Sequence, residues 1–247
     1  MGLLSVYRFF WKTSAPAVLY GLYPVMSFRR RLNKKKTVAT NRAVSERLDR
    51  SGRFTTHYFD DQAAHWMEVF AQEGLPGKAL DVLEIGAWEG RATVFLLQYL
   101  PKACVTSVDT WQGSDEHVGD KRVGGIEALF DANVSEFGHR LRKFKGTSIQ
   151  FFTSVPSGEQ FDLIYVDGSH FVDDVACDAI HSYRRLKPGG LIIFDDYLWN
   201  WYPNVRHNPA FAINWFLRLR QGEYQILSVS RAQLILKKVT SAATASQ

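Results

Sequence analysis

From Ala79 onward, short runs rich in β-branched residues alternate with stretches of helical periodicity. That alternation is the pattern of a parallel sheet covered by helices on both faces. Strands are expected at Ala79–Ile85, Ala103–Asp109, Ile149–Thr153, Phe161–Val166 and Gly190–Asp195, and helices at Arg91–Leu100, Gly125–Phe144 and Phe171–Leu186. Tyr224–Val229 and Arg231–Val239, on either side of a tight turn near Ser230, read as a closing antiparallel hairpin. Thr55–Glu73 reads as a preceding amphipathic helix ended by Gly74-Leu75-Pro76-Gly77, and Ala212–Leu219 as another that buries Trp215, Phe216 and Leu219.

With 46% hydrophobic and 22% charged residues, the 247-residue chain has material for one sizeable core, which excludes disorder and collagen-like repeats. The expected division is an arm over residues 1–53, one α/β domain over 54–239 and a small, polar, frayed tail over 240–247. Cys104 and Cys177 lie inside apolar stretches and read as buried thiols of a reducing, cytoplasmic setting, with no disulfide framework and no zinc site.

The net charge of +5 is unevenly spread: residues 1–53 hold 12 Lys/Arg against 2 Asp/Glu, and the remainder 18 against 23. In the arm, Leu3 to Phe28 are apolar and aromatic, but the longest uncharged run, Thr13 to Phe28, has 16 residues and two prolines, short of a bilayer span. The basic cluster of Arg29, Arg30, Arg31, Lys34, Lys35 and Lys36 follows that run, the reverse of a secretory signal. Aromatic residues beside such a cluster suit peripheral contact with an anionic membrane through residues 1–36. The alternative is an arm that packs on its own domain or on a partner subunit of a homo-oligomer. Nucleic acid is not expected, because the acidic remainder repels phosphate.

In Val82-Leu83-Glu84-Ile85-Gly86-Ala87-Trp88-Glu89-Gly90, a buried strand runs into a turn with glycines four apart and then a helix. Such a turn lets backbone approach a ligand and presents helix N-terminal amides to it. Trp88 occupies the place of the middle glycine of a dinucleotide turn, which argues against a nicotinamide-dependent oxidoreductase. Asp109, ending the next strand 19 residues after Gly90, is placed for ribose hydroxyls. The plainer alternative is tight strand-to-helix packing at the glycines and a solvated loop acid.

With Phe161-Asp162-Leu163-Ile164-Tyr165-Val166-Asp167 and Leu186-Lys187-Pro188-Gly189-Gly190 added to Glu84-x-Gly86-x-x-x-Gly90 and Asp109, the chain resembles the class I S-adenosylmethionine-dependent methyltransferases over roughly Ala79 to Val239. The resemblance implies a doubly wound, seven-stranded, mostly parallel sheet with its last strand antiparallel, preceded here by an N-terminal helical extension. It implies S-adenosylmethionine as cofactor, with Glu84, Gly86 and Gly90 around its methionine part, Asp109 on the ribose and Ser154, just past the expected third strand, near the adenine. Thr110 and Trp111 follow Asp109 directly and are expected to cover the cofactor, Trp111 by stacking, with Asp167 bordering the same pocket; His117 is an acceptor-side candidate.

Asp167 ends the fourth expected strand and Asp195-Asp196 the fifth, so three carboxylates are expected to meet at one sheet edge. Like charges that close call for a hard cation, and oxygen ligands favour Mg²⁺, Mn²⁺ or Ca²⁺ over zinc. The positions resemble the metal site of catechol O-methyltransferase-like enzymes, with Asp196 in place of an asparagine. The same resemblance makes His170, in the lysine base's place, the proton acceptor beside Asp167 in a metal-assisted O-methyltransferase. Similarity to macrocin-type enzymes implies a hydroxylated acceptor such as a sugar or glycosylated metabolite. Tyr197, Trp199, Trp201 and Tyr202 offer aromatic faces on that edge. A non-catalytic, membrane-associated binding protein of the same fold is the competing class.

Overall fold

The computed structural model describes residues 2–239, so the tail expected from Thr240 lies outside the described residues. In chain order the elements are α1 (Leu3–Lys12), α2 (Ala17–Leu32), α3 (Lys34–Ser51), α4 (Ala63–Gln72), β1 (Leu80–Ile85), α5 (Arg91–Tyr99), β2 (Ala103–Asp109), α6 (Val123–Val134), β3 (Leu141–Lys145), α7 (Ser148–Ser154), β4 (Phe161–Val166), α8 (Val172–Arg185), β5 (Leu186–Phe194), α9 (Pro209–Leu219), β6 (Tyr224–Val229) and β7 (Leu234–Lys238). The strands form a seven-stranded sheet in the order β3-β2-β1-β4-β5-β7-β6. β1, β2 and β3 pair in parallel, as do β4 and β5, while β7 runs antiparallel to both β5 and β6. This is the expected doubly wound arrangement with its closing hairpin.

Two compact units divide the chain: one takes residues up to Arg31 together with those from Val155 onward, the other Leu32–Ser154. In the second unit, Trp66, Phe70 and Phe95 are fully buried. Arg91 opens α5 and is buried, its guanidinium fastened to Asp60 at 2.5 Å and Asp49 at 2.8 Å. Burial works against the charged form of Asp60, but hydrogen bonds from Arg91 and Ser45 outweigh it and hold this carboxyl below its usual range.

Four expectations fail in this unit. Ile149–Thr153 lies within a helix, α7, whose Phe151 and Phe152 are buried; a short apolar run fits a buried helix turn as well as a buried strand. The third strand is instead β3, Leu-Arg-Lys-Phe-Lys, inside the stretch expected to be one helix. That helix stops at Val134, and a 3-10 segment with Gly138 at φ +51° turns the chain into an edge strand whose charge guards its open side. Cys104 is exposed, between the buried Ala103 and Val105 of β2. The helix expected from Thr55 begins at Ala63.

In the first unit, the arm packs on the fold. α1 buries Val6, Phe9 and Phe10, and α2 buries Leu19 and Tyr23. Pro24 inside α2 has no N–H for the Tyr20 carbonyl, and the Tyr7 hydroxyl of α1 donates to that carbonyl at 2.8 Å instead. On α9, Phe216 is buried as expected, whereas Trp215 and Leu219 face outward, because Ile213, Phe216 and Leu217 take the core side. Cys177 is half-buried.

Asn214 joins α9 to the arm. Fully buried, it accepts from the Tyr197 hydroxyl at 2.7 Å and donates to Thr13 Oγ1 at 2.9 Å. Asn214→Ala strands both groups in the interior. It is expected to lower stability by about 2 kcal/mol, a fall in Tm of about 4–8 °C in a melt followed by circular dichroism. A melt within about 1 °C of wild type contradicts the assigned role of Asn214.

Candidate active site

The turn after β1 places alternate residues in the left-handed region: Gly86 at φ +87°, Trp88 at +49° and Gly90 at +80°. A side chain at Gly90 would meet the Phe130 ring at 3.0 Å, so only glycine fits there without repacking. At Trp88 a bulky residue holds the glycine-like conformation because its backbone is tied down. Asp109 Oδ2 accepts from the Ala87 and Trp88 N–H groups at 2.7 and 2.8 Å, and Oδ1 accepts from the Trp111 N–H at 2.7 Å. Asp109 is therefore a structural clamp of the glycine turn whatever else it binds.

Glu84 is fully buried, and its Oε2 accepts from Thr93 Oγ1 and Ser107 Oγ at 2.5 and 2.7 Å, so it fastens α5 and β2 to β1. Trp111 does not offer a stacking face. It is buried, lies against Phe130 with Lys143 Nζ over its ring, and donates its indole N–H to the Trp88 carbonyl at 2.9 Å. The ring set beside the turn is that of Trp88, 4.4 Å from the His117 ring. Thr110 Oγ1 accepts from the Gln112 N–H at 3.2 Å. Ser154 ends α7 and donates to the Phe151 carbonyl, so its expected place after a strand is corrected along with that strand.

Sequence reasoning overlooked Glu89. Buried beside Gly90, it accepts from the Thr55 N–H at 2.7 Å and the Thr55 hydroxyl, and Asn133 ties the Arg53 backbone to the Glu89 carbonyl. Residues 53–56 are thus drawn to the glycine turn. Nothing in the local sequence marks this contact, since its partners lie 34 and 44 positions away.

The second cluster stands at the ends of β4 and β5. Asp167, His170 and Asp196 each place a ligand atom within 4.8 Å of the others. His170 Nε2 is 2.9 Å from Asp196 Oδ2 and 3.9 Å from Asp167 Oδ1. Asp195, expected as the third carboxylate of this group, is engaged elsewhere. Its Oδ2 meets the Tyr165 hydroxyl and accepts from Gln233 Nε2 at 2.9 Å, while Oδ1 accepts from the Asp196 N–H. The converging set is two carboxylates and an imidazole. Asp196 sits at φ +50°, a conformation that aspartate tolerates, secured by Asp195 and by pairing of Tyr197 and Leu198 with the Ala232 and Arg231 carbonyls.

Tyr165 lies between Asp167, 2.7 Å away, and Asp195. One hydroxyl proton serves one carboxylate at a time. Burial, reinforced by Asp167 and Asp196, pushes the Asp195 carboxyl well above its ordinary range. Burial and the charge of Asp196 raise Asp167 as well, against the pull of His170 and Tyr165. Either a cation or a retained proton relieves such a set, and two carboxylates beside an imidazole suit a divalent ion. Around His170 stands an aromatic wall: Trp199 is 4.8 Å from the His170 ring and stacks on Trp201, and Tyr202 packs edge-on to both tryptophans.

Residues 83–197 match a family model described as a methyltransferase domain. The chain is 27% identical over 157 residues to mycinamicin III 3''-O-methyltransferase of Micromonospora griseorubida, covering 54% of this chain and 60% of that protein. It is 26% identical over 160 residues to 8-demethyl-8-(2,3-dimethoxy-alpha-L-rhamnosyl)-tetracenomycin-C 4'-O-methyltransferase of Streptomyces olivaceus, covering 56% and 59%. The chain thus spans 60% and 59% of the lengths of these two curated relatives. Among solved structures, the MycE methyltransferase of the mycinamycin pathway, in complex with Mg, SAH and mycinamycin VI, aligns with TM-score 0.56 at 17% identity, over 81% of this chain and 54% of that one. An O-methyltransferase from Bacillus cereus in complex with SAH aligns with TM-score 0.52 at 16% identity, over 90% and 100%. These two likenesses bear on the fold alone.

Because its carboxyl titrates above the ordinary range, Asp195 favours the folded state at low pH. That contribution fades as pH rises from the unfolded-state value through the raised one. In chelator, Asp195→Asn removes this dependence while leaving a side chain of the same shape. The wild-type Tm should fall more steeply than that of Asp195→Asn as pH rises above the ordinary carboxylate range; parallel slopes contradict the strained carboxylate.

Proposed function

We propose that this chain, which carries a class I S-adenosylmethionine-dependent methyltransferase domain, transfers the donor's methyl group to a hydroxyl of a glycosylated small molecule, aided by a divalent cation. The observation that carries the reading is the convergence of Asp167, His170 and Asp196 beside the Trp199–Trp201–Tyr202 wall. The relatives' names support O-methylation, one of them with a rhamnosyl-bearing acceptor. The MycE complex holds SAH and Mg, the demethylated donor and a divalent ion of the kind proposed here.

In this reading the glycine turn receives the donor. Gly86 and Gly90 keep the backbone open to its methionine part, with Glu84 bracing the turn from behind. Asp109 Oδ1, with one backbone donor, keeps acceptor capacity for a ribose hydroxyl. Thr110, next to Asp109, borders the same donor. Trp88 stands where a dinucleotide turn has its middle glycine, which argues against the nicotinamide alternative.

Asp167 and Asp196 would hold the cation, and His170 takes the acceptor's proton. When bound, the cation supplies positive charge that lowers the pKa of the acceptor hydroxyl and offsets the paired carboxylates. As the acceptor oxygen bonds to the methyl carbon, the carbon–sulfur bond breaks and its electron pair neutralises the sulfonium. The hydroxyl proton passes to His170, an imidazole suited to carry it near neutral pH. Asp196, 2.9 Å from Nε2, stabilises the imidazolium so formed. The aromatic wall offers flat faces for the acceptor's sugar ring.

Transfer from labelled S-adenosylmethionine to a panel of rhamnosylated polyketides, in the presence of Mg²⁺, tests the reading. His170→Ala is expected to lower kcat by about 10²- to 10⁴-fold while calorimetry shows donor binding unchanged. EDTA is expected to stop transfer and spare donor binding. An unaltered kcat in the variant removes His170 as the base, and full transfer in EDTA removes the cation.

A further inference from the structure

The outward face of the N-terminal helices is apolar on a part of the chain that already buries its other face. On α2, Val18, Val25, Phe28 and Leu32 share one stripe at helical spacing and stay exposed, Phe28 to 61% and Leu32 to 70%. On α1, Leu4 and Trp11, two turns apart, are exposed to 84% and 80%. The core-facing residues of these helices are others, namely Val6, Phe9, Phe10, Leu19 and Tyr23. The exposed set is therefore a surplus over what the fold buries.

The helices that carry this face are held firmly. Thr13 is bound by Asn214, Arg218 donates to the Ser14 carbonyl at 2.7 Å, and Arg30 donates to Ser228 Oγ at 2.7 Å and the Val229 carbonyl at 2.8 Å. Arg218 seats the end of α9 on the turn between α1 and α2. The charge on α1 and α2 has one sign. No acidic residue occurs before Glu46, and Arg8, Lys12, Arg29 and Arg31 stand exposed on α1 and α2. No helix among the described residues is long and apolar enough to cross a membrane.

We propose that this face docks on the surface of a bilayer containing anionic lipid. Leu4, Trp11 and Phe28 enter the boundary between headgroups and acyl chains, and Arg8, Lys12, Arg29 and Arg31 meet the lipid phosphates. Charge complementarity selects an anionic partner, and the aliphatic and aromatic surface selects lipid over nucleic acid. The docking is peripheral and independent of the methyl-transfer reading.

Co-sedimentation of the full chain with vesicles of phosphatidylcholine alone, and of phosphatidylcholine mixed with phosphatidylglycerol, tests it. Binding to the mixed vesicles is expected to exceed binding to neutral ones by about tenfold or more and to weaken with salt. Trp11→Ser with Phe28→Ser, and separately Arg29→Glu with Arg31→Glu, should each reduce that binding by about tenfold or more while keeping the wild-type Tm, since all four side chains are exposed. Absence of vesicle binding, or equal binding to both compositions, overturns the proposal. So does a dimer in sedimentation velocity that Trp11→Ser with Phe28→Ser dissolves without any vesicle binding, which assigns the face to a second copy of the chain.

Discussion

Like charge held at the ends of β4 and β5 sets the terms for this molecule. Asp167 follows β4 and Asp195 and Asp196 follow β5, and two of them reach for the single proton of Tyr165. Charges this close in a partly dehydrated place repel strongly. The fold spends several devices on keeping them there: Gln233 from the hairpin on Asp195, the backbone pairing of Tyr197 and Leu198, and a left-handed Asp196. They leave Asp167, His170 and Asp196 within 4.8 Å of one another, the donor set that the proposed cation requires.

The glycine turn follows the same logic. Trp88 adopts a conformation that costs a bulky residue of the order of 1–3 kcal/mol, and the Asp109 carboxylate offsets it with two backbone hydrogen bonds. Asp109 is thus both a holder of the turn and a candidate holder of ligand. Substitutions there will act through the shape of the turn as well as through any lost contact. Glu84 and Glu89, buried on either side of Gly86, tie neighbouring segments to the turn through hydrogen bonds.

Much of this was legible in the sequence, and what was hidden has identifiable causes. The strands β1, β2 and β4 were readable because short runs rich in apolar and β-branched residues, ended by glycine or acid, alternate with helical stretches. β3 was not, because an exposed edge strand of mixed Leu-Arg-Lys-Phe-Lys lacks the apolar signature, and the Ile149–Phe152 run nearby carried it instead. The convergence of Asp167 with Asp196 followed from topology. The diversion of Asp195 did not, since it depends on Tyr165 and Gln233, whose roles are set by tertiary contact. Trp111 looked like a stacking platform from its place after Asp109, yet Phe130 and Lys143 take its faces.

The sharpest question is which carboxylates grip an ion. Electron paramagnetic resonance of Mn²⁺ titrated into wild type and into Asp167→Asn, Asp196→Asn and Asp195→Asn answers it without reference to any acceptor. The account predicts that the Asp167 and Asp196 variants lose the bound ion and the Asp195 variant retains it. Loss of Mn²⁺ binding in Asp195→Asn as complete as in Asp196→Asn, or retention in all three, contradicts it.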